Sequence, residues 1–298
     1  MAAHRAPIRF LALISLPLAL AGCSSGQETD APAAADAAGA GPVVVATTTW
    51  QGAFATAAGA EDVTVIVPAD VQHAPEYEPS PSDLAAVADA DFVLYSPFEP
   101  FAEQITEAAG GDAETVEVEL DNSAAVITSE VTRLGGLFGT SDAAGEWLET
   151  FEAERARLAG ELAGQWPGGE APTAVAQVYA TWATELAGIE PAATYGPDQP
   201  TAGDIAELAG LEPAFVFDNV HMSTGRVLPD SDALQVGVVN YPGEDLDLIA
   251  LYETNAHAIA AAFAGEEAEP QGGGHGHGGE EGGDHGDGGH GDEEESSH

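Results

Sequence analysis

Apolar and polar positions along this chain change period repeatedly, and the changes mark its elements. Short strand-like runs fall at 43–47, 63–67, 91–95 and 115–120. The run at 63–67 is continuously apolar or β-branched and predicts a fully buried strand, whereas 115–120 alternates and predicts a half-exposed one. Between them lie helix-compatible stretches running to Ala58, over 81–88 and over 98–109, the last with Phe98, Phe101 and Ile105 on one side. Ser80-Pro81-Ser82-Asp83 is a helix start, with a capping serine, proline at the first helical position and a carboxylate three residues on that can reach back. The middle of the chain, 122–165, is mostly helical: Ser141 is a plausible cap, Trp147, Leu148, Phe151, Leu158 and Leu162 share a face, and Trp166-Pro167-Gly168-Gly169 ends it. The alternation then resumes, with strands over 174–179, 214–217 and 235–239 and helices over 181–187, from the capping box Thr201…Asp204 to Ala209, and over 246–263. Strand and helix in turn predict the α/β class with parallel sheets.

The first 22 residues are a targeting segment. His4, Arg5 and Arg9 precede an apolar core at 10–20 that is too short to span a bilayer, and Leu20-Ala21-Gly22-Cys23 matches the bacterial lipobox. Cys23 is the only cysteine, so no intrachain disulfide is available and the thiol is read as the lipid-bearing residue. Residues 24–42, dominated by Ala, Gly, Ser, Asp and Pro, read as a tether. Beyond Cys23 the chain carries all 51 acidic residues against Arg133, Arg155, Arg157 and Arg226, and no lysine. That balance excludes nucleic-acid binding, which needs basic side chains at phosphates, and it concentrates cations near the surface.

Candidate chemistry is concentrated on histidine. His73 lies in the loop after the 63–67 run, at the carboxyl end of a strand where open α/β sheets bind ligands; it reads as a metal ligand or as a solvated loop histidine. Asp218 and His221 follow the strand at 214–217, and a carboxylate and an imidazole three residues apart can turn toward one cation such as zinc, manganese or iron. The alternative is that Asp218 caps a turn and His221 is an ordinary surface histidine. Trp50, Tyr95, Tyr179 and Trp182 follow strands and either line a cleft or pack in a core; His257 reads as a surface or packing residue. The C-terminal stretch 271–298 has no apolar side chain and carries His275, His277, His285, His290 and His298 among Asp, Glu and Gly, a composition suited to loose metal capture.

Pro68 together with Tyr77-Glu78-Pro79-Ser80-Pro81-Ser82-Asp83 resembles a segment of the substrate-binding proteins of zinc and manganese ABC importers. The resemblance spans roughly 43–264. It implies two parallel-sheet lobes joined by a long helix, with a metal cleft between them, no catalysis, and delivery of the ion to a membrane permease and its ATPase. It also implies ligand positions that this chain fills differently. The first ligand histidine of the family falls on Pro75, with His73 two residues earlier; the second-lobe histidine falls near Gln177, the late aspartate on Asn240, and the ligand before the linker on Asp121 or Asn122, with Glu99 a further filler.

The expected organisation is therefore a lipoprotein signal peptide at 1–22, a tether at 23–42, an N-terminal lobe at 43–125, a helical linker at 126–167, a C-terminal lobe at 168–264 and a His- and acid-rich tail at 265–298. The expected function is a monomeric, lipid-anchored zinc-binding component of an ABC importer outside the cytoplasm, with manganese or iron as other cargoes. Two alternatives stay open: the same fold binding a metal chelate such as a siderophore or corrinoid, or a surface metal buffer acting through the tail.

Overall fold

The computed structural model describes residues 41–69, 71 and 77–266, and these build two four-stranded parallel sheets. The first sheet contains β1 (Val43–Ala46), β2 (Asp62–Val65), β3 (Phe92–Tyr95) and β4 (Glu114–Glu117) in the order β2-β1-β3-β4. Its connections carry α1 (Thr49–Ala57), α2 (Pro81–Ala88) and α3 (Ala102–Ala109). The second contains β5 (Ala174–Gln177), β6 (Ala193–Tyr195), β7 (Phe215–Asn219) and β8 (Leu234–Val238) in the order β6-β5-β7-β8. It carries α6 (Thr181–Leu186), α7 (Ala202–Ala209) and α8 (Leu248–Phe263), and α4 (Ala124–Phe138) and α5 (Ser141–Ala163) join the two halves. The α/β class and the two lobes are those the residue pattern implies. No helix among the described residues is long and apolar enough to cross a membrane.

Helix starts are set by side chains. Ser80 and Thr201 form capping boxes with Asp83 and Asp204, as the sequence predicts, and Thr48 forms a third with Gln51. Each supplies acceptors for N–H groups that the helix itself leaves unpaired.

Four local expectations are corrected. The 63–67 run is not a fully buried strand: β2 is the sheet edge and its residues alternate between exposed and half-buried, while Ile66 and Val67 are buried beyond its end. The linker is two helices. Gly139, at φ +74°, ends α4 in a left-handed cap, and Gly135 lets the two helices approach until a Cβ placed on it would stand 2.6 Å from the Ala144 Cβ. Ser141 begins α5 instead of capping it, and the hydroxyl of the preceding Thr140 donates to the Ala58 carbonyl in the first lobe at 2.6 Å. Finally, α8 starts at Leu248, capped by Asp247, because Leu246 adopts φ +54°.

The apolar interior is continuous from lobe to lobe. One cluster runs from Val44, Phe54 and Leu94 through Ile127, Phe151 and Leu158 on the linker to Trp182, Phe217, Tyr252 and Ile259. Two smaller clusters cover the opposite sheet faces: Val45, Val87, Val93 and Ile105 in the first lobe, Val175, Leu208 and Val216 in the second. Linker and sheets therefore share one core, and the loops at the strand ends are held on a common frame.

Candidate metal cleft

In each sheet the chain order reverses between two neighbouring strands, β1 and β3 in the first lobe, β5 and β7 in the second. The loops at the carboxyl ends of such strands diverge and leave a crevice where open α/β sheets take ligands. The segments delivered there are Thr47–Trp50 and Ser96–Glu99 from one lobe, and Gln177–Tyr179 and Asn219–Met222 from the other.

Glu99 is the charged centre of the first-lobe segment. Its carboxylate is buried, and Oε1 accepts from the Thr47 hydroxyl at 2.9 Å and from Gln51 Nε2 at 2.8 Å. Oε2 accepts from the Ser96 backbone N–H at 3.0 Å, while the Ser96 hydroxyl donates to the Val118 carbonyl. Burial raises the Glu99 pKa above the ordinary carboxylate value, and the three donors pull it back only in part.

In the second lobe, His221 leaves β7 in a turn closed by its own N–H donating to Asn219 Oδ1 at 3.0 Å. Its ring meets Tyr241 edge-on, with centroids 4.8 Å apart, and its Nε2 is buried without a hydrogen-bond partner. Burial pushes the imidazole pKa down to about 4, so the ring is neutral at physiological pH and protons do not compete for its nitrogen lone pair. Tyr241 in turn meets Trp50 of the first lobe edge-on at 5.2 Å, and Trp50 Nε1 is likewise buried and unpartnered. Burial and then the nearby Glu99 charge raise the Tyr241 pKa. Trp50, Tyr241 and His221 thus form a row across the lobes, with the Glu99 carboxylate beside it.

The remaining predicted residues are placed elsewhere. Asp218 does not share a site with His221. Residues of β7 alternate, so Phe215 and Phe217 face the main core while Val216 and Asp218 face the opposite side. There Asp218 accepts from the Tyr195 hydroxyl at 2.7 Å and from Gln235 Nε2 at 3.1 Å, at the wall of a cavity of about 230 Å³ also lined by Gln177 and Arg226. Gln177 Oε1 caps the following turn by accepting from the Tyr179 N–H, and its Nε2 reaches only the Met222 sulfur at 3.7 Å. Asn240 Oδ1 accepts from Trp182 Nε1 at 2.7 Å, and its Nδ2 donates to the Tyr179 carbonyl at 3.0 Å. Asn122 Nδ2 donates to the Asn240 carbonyl at 2.9 Å, tying the start of the linker to the second lobe. Asp121 accepts from the Ser123 N–H, and His257 is exposed on α8. Among the described residues, no three His, Cys, Asp or Glu side chains gather as a metal cluster. His73, Cys23 and the tail residues His275, His277, His285, His290 and His298 lie outside the described residues. Sequence reasoning missed Tyr241, whose partners come from distant parts of the chain.

Two parallel-sheet lobes share one core with the helical linker, and the lobes touch through Trp50 and Tyr241. Residues 44–143 match the family described as zinc-uptake complex component A, periplasmic (ZnuA). Solved structures share the fold over nearly their whole length. FpvC from Pseudomonas aeruginosa in complex with Mn2+ aligns with TM-score 0.58 and 16% identity, covering 75% of this chain and 98% of that one. The Mn-bound periplasmic metal-binding protein from Candidatus Liberibacter asiaticus gives 0.55 and 13%, covering 74% and 99%. The periplasmic zinc-binding protein TroA from Treponema pallidum gives 0.51 and 14%, covering 75% and 99%. No curated protein sequence matches the chain. The resemblance to the substrate-binding proteins of zinc and manganese importers is upheld: the family match lies on the first lobe and the start of the linker, and the shared fold extends across both lobes.

Proposed function

We propose that this chain is the extracytoplasmic metal-ion-binding component of an ABC importer, holding one ion in the cleft and presenting it to a permease and its ATPase. Cys23 anchors it to lipid, and the protein works as a monomer. The observation that carries the reading is the His221 Nε2, buried in the cleft wall, neutral and without a partner. Zinc is the first cargo to test, because the matched family is named for zinc uptake and imidazole suits that ion; manganese and iron come next. Any ion that binds only the folded state raises the melting temperature. Zn2+, Mn2+ and Fe2+ are therefore titrated against the full chain and against a chain ending before Gln271. A rise in both supports the cleft; a flat response in both overturns the cleft, and metal then retained in equilibrium dialysis only by the full chain supports a buffer working through the tail.

A second reading, a metal chelate as cargo, draws support from Gln177 and Asn240. Both are engaged in the lobe's own hydrogen bonds, so a cargo bringing its own metal ligands asks less of the cleft. Competition between free zinc and a ferric siderophore separates the two.

A further inference from the structure

The second sheet brings three polar side chains to one cavity that His221 does not line. Tyr195 and Gln177 end the neighbouring parallel strands β6 and β5 and pair in register. Gln177 follows Ala176, the partner of Phe217, so it stands level with Asp218 on β7. Val175, Tyr195 and Val216 belong to the cluster on this face, and alternation along each strand turns Gln177 and Asp218 to the same side. With strands about 4.8 Å apart, the three meet at the cavity of about 230 Å³, whose apolar walls include Ile205 of α7 and Val227. Two of the three are short of partners. Asp218 is 5% exposed, yet among the described residues its oxygens accept only from neutral donors, the Tyr195 hydroxyl at 2.7 Å and Gln235 Nε2 at 3.1 Å. Each oxygen keeps room for another donor, and a buried carboxylate without a cation bears an uncompensated desolvation cost. Gln177 is 3% exposed; its oxygen caps a turn, while its nitrogen, with two N–H groups, meets only the Met222 sulfur at 3.7 Å.

We propose that this cavity is a second ligand site, for a small zwitterion of the α-amino-acid class whose ammonium group donates to Asp218 and whose carboxylate accepts from Gln177 Nε2. The site stands apart from the metal cargo and does not depend on it. Its cation is organic, because the cavity offers one buried carboxylate among hydrogen-bond donors, and no three metal-ligating side chains gather among the described residues. An ammonium supplies N–H donors to the lone pairs that Asp218 still has, and charge-assisted bonds of this kind are about twice as strong as neutral ones. The lining carries Asp198 and Asp218 against Arg226, which favours the positive end of the ligand. The amide nitrogen of Gln177 needs an acceptor on the same molecule, and a plain amine has none. The volume lies below the range of about 300–1,000 Å³ that takes drug-sized molecules, and it suits a ligand of amino-acid size. Binding uses hydrogen bonds and charge alone, with no covalent bond made or broken.

The full chain, in buffer stripped of metal, is screened by melting temperature against each free proteinogenic L-amino acid and against glycine betaine, a zwitterion whose quaternary nitrogen carries no N–H. The amino acid giving the largest rise is then titrated calorimetrically into the wild type, Asp218→Asn, Gln177→Glu and Ile205→Trp. The expected result is saturable binding of at least one amino acid to the wild type, and none of betaine. Asp218→Asn weakens it about thirtyfold or more. Gln177→Glu keeps an oxygen for the Tyr179 N–H but replaces the donor with an acceptor, and weakens binding about tenfold. Ile205→Trp fills the cavity without touching Asp218 and abolishes binding. A cooperative melting transition without ligand checks that each variant is folded, and Ile205→Trp decides the matter if Asp218→Asn is not. No rise with any amino acid, betaine binding as tightly as the amino acid, or wild-type affinity in any of the three folded variants overturns the proposal. None of these outcomes bears on the metal cleft, since the assay contains no metal.

Discussion

Trp50 of the first lobe and Tyr241 of the second meet edge-on, with ring centroids 5.2 Å apart and planes inclined by 68°. This contact joins the first turn of α1 to the loop after β8, so it reports directly on how the halves are coupled. Aromatic pairs in this geometry contribute about 0.5–1.5 kcal/mol beyond the area they bury. A double-mutant cycle of Trp50→Leu and Tyr241→Leu, followed by urea denaturation, is expected to return a coupling energy in that range. A value near zero would mean the rings only happen to be neighbours.

His221 gives the metal-free protein a definite acid response. Its folded pKa of about 4 lies below the unfolded value of about 6.5, so between these pH values the unfolded chain binds the extra proton. Stability is therefore full above about pH 6.5 and declines as pH falls toward 4, by at most about 3 kcal/mol from this group. Glu99 has the opposite sign: its raised pKa favours the protonated folded form, and that contribution fades as pH rises through the elevated value. Urea midpoints measured from pH 7.5 to 4 are expected to fall in the wild type and to fall less steeply in His221→Gln.

Asn240 occupies the position where the resembled family carries an aspartate, yet restoring the acid is expected to be harmful. Its Nδ2 donates to the Tyr179 carbonyl, and a carboxylate would place an acceptor against that acceptor. Asn240→Asp is expected to lose about 1–3 kcal/mol in chemical denaturation. Equal or greater stability in the variant, without added metal, would show that the amide is not held by these bonds.

The crossing of α4 and α5 depends on a missing side chain. A Cβ at Gly135 would stand 2.6 Å from the Ala144 Cβ, closer than packed carbons tolerate. Gly135→Ala gains helix propensity of roughly 1 kcal/mol but must push the helices apart, at about 1–3 kcal/mol. The expected net effect is a lower melting temperature, with Gly136→Ala, which meets nothing within 4 Å, as the favourable control.

Much of the frame could be read from the residues, because each strand and helix advertises itself locally. Ser80 with Asp83 and Thr201 with Asp204 announce their helices within four positions. By contrast β6, three residues between Pro191 and the Gly196-Pro197 turn, is too short to show a period. The linker break was hidden because Gly139 lies inside an otherwise helical pattern, and only its left-handed conformation ends the helix. The cleft was less legible for a different reason. Asp218 and His221 are close in sequence, but period-two alternation along β7 turns Asp218 to the opposite face, toward Tyr195. Tyr241 gains its meaning only from Trp50 and His221, and neither lies near it in the chain.

The apolar cluster that runs from Val44 through the linker to Ile259 also governs how this molecule can come apart. Each half keeps a smaller cluster of its own, but the largest is shared between them, so heating is expected to melt both in one cooperative step. Whatever grips the crevice then strengthens the entire body, as far away as the end of the last helix.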